Sequence, residues 1–221
     1  MKQYLLDLKN LESFDADDYI ITESNIHALK WIDQWPNWGN AKYSNITSIL
    51  GEEGSGKTHL AQIWAQRSGA IILEPSNLST KQYAENTAKC YILEDLQNAL
   101  SNEVELFYLL EHIIHNNKYL LITTNTPIHH LEIKLPDLKS RLNSIFLIEI
   151  KKPDEKMIEQ ILVKFFSDRQ ISISSNVIKY LLTRVNYNYK NIAEIVEKLD
   201  LLSLEAQKNI SIPFIKEHLH L

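Results

Sequence analysis

The stretch Gly51-Glu52-Glu53-Gly54-Ser55-Gly56-Lys57-Thr58 constrains this chain more than any other. It meets G-x-x-x-x-G-K-[ST] at every fixed position. Before it, the apolar run Ile46, Ile49 and Leu50 reads as a buried strand. After it, His59 to Ala65 reads as a helix with Leu60, Ile63 and Trp64 on one face. Glycines let the backbone turn its N–H groups inward around phosphate oxygens, and the helix start adds the positive end of a dipole. Lys57 is then expected to reach the β/γ-phosphates and the Thr58 hydroxyl to ligate Mg²⁺. Of the five glycines in 221 residues, Gly51, Gly54 and Gly56 sit in this one loop. A chain that otherwise avoids glycine concentrates it where backbone must approach an anion, which implies a bound nucleotide.

The pattern around the loop extends that reading. Ala70 to Leu73, Lys89 to Leu93, Tyr119 to Thr124 and Ile145 to Ile150 are apolar strand-like runs. Between them, Glu103 to His115 carries Leu106, Leu109, Leu110, Ile113 and Ile114 on one helical face, whereas Glu74 to Lys89 reads as a polar connection. Strands alternating with amphipathic helices imply an α/β fold, a parallel sheet covered on both faces. From Pro153 onward only helices are expected, over 154–168, 175–185, 189–206 and 212–219. The expected organisation is a terminal segment 1–18, an αβα domain 19–152 and a small all-helical domain 153–221. Trp31, Trp35 and Trp38 near a helix that ends by Pro36 read as core aromatics.

Three further positions carry chemistry. Glu94-Asp95 closes the third strand, where one carboxylate would hold Mg²⁺ and its neighbour would polarise an attacking water. The usual order in hydrolysing proteins is Asp then Glu; the reversal here implies slow hydrolysis. Asn125, at the end of the following strand, suits either a contact to the γ-phosphate or attacking water, or ordinary turn chemistry before Thr126-Pro127. Arg141 follows a short helical segment and suits either a finger onto a neighbouring subunit's nucleotide or a surface ion pair.

Composition narrows the classes. A net charge of −5 argues against an extended nucleic-acid surface. One cysteine, Cys90, excludes an internal disulfide and a cysteine-based zinc site, and the eight histidines show no metal-ligand spacing. Neither a signal-peptide pattern nor a membrane-length apolar run is present, so a cytoplasmic location without membrane contact is expected.

With the loop, the acidic pair and the two-part plan in place, the sequence resembles the AAA+ ATPases of the bacterial DnaA group, and among them the short regulators of the Hda type in their α-proteobacterial form. Gly56-Lys57-Thr58-His59-Leu60 matches the end of that group's Walker A motif, and Leu93-Glu94-Asp95 its Walker B with the same reversed order. Tyr19-Ile20-Ile21-Thr22-Glu23-Ser24-Asn25 is similar to its leading segment, and Trp31 to Trp38 to a stretch typical of α-proteobacterial members. Asn125 falls at sensor 1, Leu138-Lys139-Ser140-Arg141-Leu142 matches the arginine-finger box, and Lys190 stands where sensor 2 is normally an arginine.

The resemblance implies an AAA+ P-loop αβα sandwich with a five-stranded parallel sheet and a helical lid. ATP or ADP with Mg²⁺ would lie between the two, held by Tyr19, Ile20, Ile21, Glu53, Gly54, Ser55, Gly56, Lys57, Thr58, His59 and Lys190, with Thr58 and Glu94 at the metal. It also gives Gln3, Leu5, Leu6 and Leu8 a role as a peptide that docks on the DNA polymerase III sliding clamp, Tyr4 standing where Leu is usual. The implied function is regulation of replication initiation by promoting ATP hydrolysis in DnaA, with Glu94, Asp95, Asn125 and Arg141 as the catalytic set and no sequence-specific DNA binding. A helicase loader or DNA-remodelling ATPase of the same branch is the alternative, and monomer and homo-oligomer both remain open.

Overall fold

A strand packed on both faces reads as a nearly continuous apolar run, as Cys90–Leu93 does here, whereas the edge strand Phe146–Glu149 is largely exposed. The computed structural model describes residues 19–39, 43–185 and 189–219, with the side chains of Tyr189 and Lys190 outside the description. β1 (Ile46–Leu50), β2 (Ile71–Leu73), β3 (Cys90–Leu93), β4 (Tyr119–Thr124) and β5 (Phe146–Glu149) form one sheet in the order β2-β3-β4-β1-β5, every pair parallel. β4 is therefore inserted between β1 and β3. Leu50 stands beside Thr124, and Leu93 beside Ile122. The chain ends of β1, β3 and β4 emerge at one edge, which is where an open α/β sheet binds its ligand.

Side-chain alternation divides the three central strands, β1, β3 and β4, between two cores. Ile46, Tyr91, Leu93, Leu120 and Ile122 face α5 (Glu103–His115) and α6 (Pro136–Ser144), where Leu106, Leu109, Leu110, Ile113, Leu138 and Leu142 are fully buried. Ile49, Cys90, Ile92 and Leu121 face the other way, onto α1 (Ile26–Asp33) and α2 (Lys57–Ser68). The tryptophans belong to this second core. Trp38 stacks on Trp64, Trp35 meets Trp64 edge-on, and Trp31 donates from its indole nitrogen to Thr47 Oγ1 at 3.0 Å.

The stretch 74–89 is more ordered than its polar composition implies. A single 3₁₀ turn over Pro75–Asn77 and α3 (Thr80–Tyr83) bury Leu78 and Tyr83. Two apolar anchors in a hydrophilic run give too weak a period to read from sequence. A further short helix, α4 (Leu96–Ala99), follows Glu94-Asp95 directly.

Past Pro153 come α7 (Glu155–Asp168), α8 (Ser175–Leu182), α9 (Tyr189–Ala206) and α10 (Ile212–His218). They enclose a separate core built on Ile158, Leu162, Phe166, Leu181, Val196 and Ile215. Asp154 caps α7, its Oδ1 accepting from the Met157 N–H at 2.7 Å. Ile20, from the αβα part, packs against this helical core.

Candidate nucleotide site

β1 and α2 deliver the loop that joins them, and its glycines adopt conformations other residues avoid. Gly54 and Gly56 lie at φ of +72° and +93°, the left-handed region that favours glycine. At Gly51 a methyl group would sit 2.5 Å from Ser55 Oγ and 3.1 Å from the Ile150 carbonyl oxygen, so close packing demands glycine there too. The loop is tied to the sheet edge by the Gly51 N–H, which donates to the Thr124 carbonyl at 3.1 Å.

Lys57 is buried inside this loop, with 7% of its surface exposed, and its Nζ donates to the carbonyls of Gly51 at 2.8 Å and Glu52 at 2.9 Å. Burial pushes its ammonium below the ordinary lysine range, while Asp95, Glu53 and Glu94 pull the other way. Across from it the Thr58 hydroxyl donates to Glu94 Oε2 at 3.4 Å. Burial raises the Glu94 carboxyl above its usual range, the Asp95 charge adds to the rise, and the Thr58 hydroxyl and Lys57 oppose it. Glu94 Oε1 and Ser55 Oγ are both buried without a hydrogen-bond partner.

These observations fit a nucleotide with its metal. The left-handed glycines open a backbone cradle, Lys57 is a buried cation already directed at electronegative oxygens, and Glu94 keeps an unmatched oxygen beside the Thr58 hydroxyl. Among the described residues no group of three His, Cys, Asp or Glu could hold a metal alone. Phosphate oxygens would have to complete the shell, as is usual for Mg²⁺.

The two carboxylates have different surroundings. Glu94 faces Thr58, whereas Asp95 sits at φ +52° with its N–H donating to Thr123 Oγ1 at 3.0 Å. The Asp95 carboxylate accepts from Gln97 Nε2 at 3.3 Å. Asn125 is exposed at the end of β4, and its Oδ1 accepts from the Thr126 hydroxyl at 2.9 Å, the contact of a turn.

Beside the loop lies a narrow cleft between the sheet edge and the helical part. Tyr19, Ile20, Gly54, Ser55, Gly56 and His59 line one side. The other side is Pro153, Met157 and Ile161. Its walls are mostly apolar, suited to a flat heterocycle. The Tyr19 ring meets His59 edge-on at 5.2 Å and would lie 3.5 Å from a methyl group added at Gly56. Ile21 does not line the cleft. Ile20 and Thr22 face the helical part, and Ile21 between them is 53% exposed.

Several residues that shape the site carry no motif. Asn25, fully buried, holds the leading segment: its Oδ1 accepts from the Thr22 N–H at 2.9 Å and its Nδ2 donates to the Ile20 carbonyl at 2.8 Å. The hydroxyls of Thr22 and Ser24 both donate to Met157 Sδ, joining that segment to α7. In the sequence, Met157 and Ile161 are only members of an apolar helical face; which of those side chains reach the nucleotide side depends on how α7 docks.

Arg141 sits in the last turns of α6, half-buried rather than free on the surface. Its guanidinium lies 4.1 Å from the Phe107 ring centre, and Nη1 lies 2.7 Å from Glu111 Oε1. Neither partner lines the cleft of its own chain. The Lys190 side chain and the segment with Gln3, Leu5, Leu6 and Leu8 lie outside the described residues.

Comparisons with known proteins decide the family. Residues 154–219 match the model of the Hda lid domain. An uncharacterized protein of Haemophilus influenzae is 31% identical over 186 residues, covering 78% of this chain and 80% of its own length. The chain belongs to the DnaA-related, Hda-like AAA+ proteins. Solved structures bear out the fold. Domain III of the replication initiation protein DnaA from Thermotoga maritima superposes with a TM-score of 0.74 at 16% identity, over 94% of this chain and 98% of that one. AMPPCP-bound DnaA from Aquifex aeolicus superposes at 0.69 with 22% identity, over 86% of this chain. This chain spans 65% of that longer protein. No helix among the described residues is long and apolar enough to cross a membrane.

Proposed function

We propose that this AAA+ chain regulates replication initiation by acting on ATP-bound DnaA. Residues 3–8 would recruit it to the sliding clamp, and Arg141 would be presented to the nucleotide held by DnaA. The observation that carries the reading is the position of Arg141 in a chain of this family. It is held on α5, and its contacts Phe107 and Glu111 are no part of the chain's own cleft. A guanidinium that does not reach its own chain's cleft is available to a nucleotide bound by another molecule, which supports the reading.

In this reading the chain's own ATP or ADP orders the αβα part against the lid. The bound nucleotide with Mg²⁺ would supply the phosphate charge that the cradle is built to neutralise. Lys57 would exchange its two loop carbonyls for phosphate oxygens. Thr58 and Glu94 would hold the metal side, and Tyr19, Ile20, Met157 and Ile161 would exclude water from the base. Asp95, engaged by Gln97, is poorly free to orient a water, so the chain's own turnover is slow. In trans, Arg141 contributes charge where it develops on the transferring phosphoryl group, which in comparable systems accelerates hydrolysis by about 10³–10⁵-fold.

The test is ATP hydrolysis by DnaA with DNA-loaded clamp and this protein, as wild type, as Arg141→Ala and with residues 1–8 deleted. Stimulation is expected from the wild type alone. Full stimulation by Arg141→Ala sinks the finger role, and full stimulation by the deletion sinks the recruitment role.

A further inference from the structure

Arg141 is unusually well seated for a residue meant to act on another molecule. Phe107 and Glu111 are one turn apart on α5, so ring and carboxylate stand side by side on the same face. The guanidinium lies over the ring at 4.1 Å, and its Nη1 approaches Glu111 Oε1 to 2.7 Å. Nη1 is nevertheless out of solvent and makes no well-directed hydrogen bond, so charge rather than bond direction holds it. The other oxygen of the same carboxylate, Oε2, lies 3.2 Å from His115 Nε2, one turn further on. The Arg141 side chain as a whole keeps 23% of its surface exposed, and Val104 and Tyr108, elsewhere on α5, are more than half exposed.

We propose that Glu111 is a positioning residue for Arg141, holding the guanidinium against Phe107 so that its outward donors are already aligned for a partner's polyphosphate. The proposal rests on the reading of Arg141 as a finger. Arginine has a long side chain with many rotamers, and a finger that must first be ordered spends interaction energy on doing so. The ion pair to Glu111 and the stacking on Phe107 fix the guanidinium before a partner arrives. A purely structural pair linking α5 to α6 would need none of this exposure.

The experiment uses the full chain as wild type, Glu111→Ala, Glu111→Gln and Glu111→Asp. The first readout is stimulated DnaA hydrolysis as a function of this protein's concentration. The second is the order of the Arg141 side-chain Nε–H by NMR. Because charge holds the arginine, Glu111→Ala and Glu111→Gln should both lower the maximal stimulation, by about threefold for a pair of this kind. The half-saturating concentration should stay unchanged, and Glu111→Asp should recover part of the loss. The Arg141 Nε–H should become mobile in the first two variants.

Full maximal stimulation by Glu111→Ala, with Arg141→Ala inactive, overturns this proposal and leaves the finger standing. An Arg141 as ordered in Glu111→Ala as in the wild type overturns it independently of any partner. A fall not recovered at all by Glu111→Asp and accompanied by weaker half-saturation indicates a structural tie and also overturns it. Absence of stimulation by the wild type removes the finger reading, and this proposal with it.

Discussion

Lys57→Ala separates the two tasks that the buried lysine performs. In the structure its ammonium holds the carbonyls of Gly51 and Glu52. Each charge-assisted bond contributes about 1.5–3 kcal/mol, against several kcal/mol for removing the ion from water. These terms nearly cancel, so stability without nucleotide should change by about 1 kcal/mol or less, or about 2–4 °C in Tm for a chain of this size. With ADP at about one hundred times its Kd, the wild type gains about 2.7 kcal/mol, a rise of about 5–10 °C. Losing one charge-assisted phosphate contact of about 3 kcal/mol weakens binding by about one hundredfold. The same ADP then stands near the variant's Kd and stabilises it by only about 0.4 kcal/mol, about 1 °C. Differential scanning fluorimetry with and without ADP reads both quantities. A variant that keeps the wild-type ADP shift refutes the assignment of Lys57 to the phosphates. A collapse of the unliganded variant by more than about 10 °C refutes the cancellation.

The remaining predictions concern the same cradle and its lid. Because burial lowers the Lys57 ammonium below the ordinary value of 10.5, the free protein loses this proton sooner than an exposed lysine would. Phosphate binding needs the charged form, so calorimetric nucleotide affinity should fall as pH rises through that lowered pKa; a flat profile up to 10.5 contradicts this. Gly51→Ala places a methyl group against Ser55 Oγ and the Ile150 carbonyl. The serine can rotate and the backbone cannot, so urea denaturation should show a loss of about 1–3 kcal/mol, with the nucleotide shift reduced as well. Asp154→Ala removes the acceptor for the Met157 N–H, and should cost about 1 kcal/mol by the same measurement, while Asp154→Asn should restore most of it.

The glycine-rich loop was legible because its geometry is local. Glycine at φ +93° is demanded by backbone geometry, and the lysine and threonine that follow it stand at fixed spacing within eight residues. The strands were legible as short apolar-rich runs between polar connections, and the helix Glu103–His115 because a 3.6-residue period survives over thirteen residues. The ordered turns inside 74–89 were not, since two buried side chains in a polar stretch produce no period. The Asn25 side chain secures Thr22 and Ile20 rather than the start of α1, a choice made by packing.

What the sequence determined by itself is the glycine-rich loop and the order of elements around it, because both follow from short-range patterns. Only the tertiary structure decided who faces whom. Insertion of β4 between β1 and β3 brings Glu94 opposite Thr58 from 36 residues away. Docking of α7 selects Met157 and Ile161 from a whole apolar face to close the cleft. Packing of α6 on α5 sets Arg141 beside Glu111, 30 positions earlier in the chain. Such pairs are fixed by the packing of elements distant in the chain, a many-body requirement that no local stretch of residues encodes.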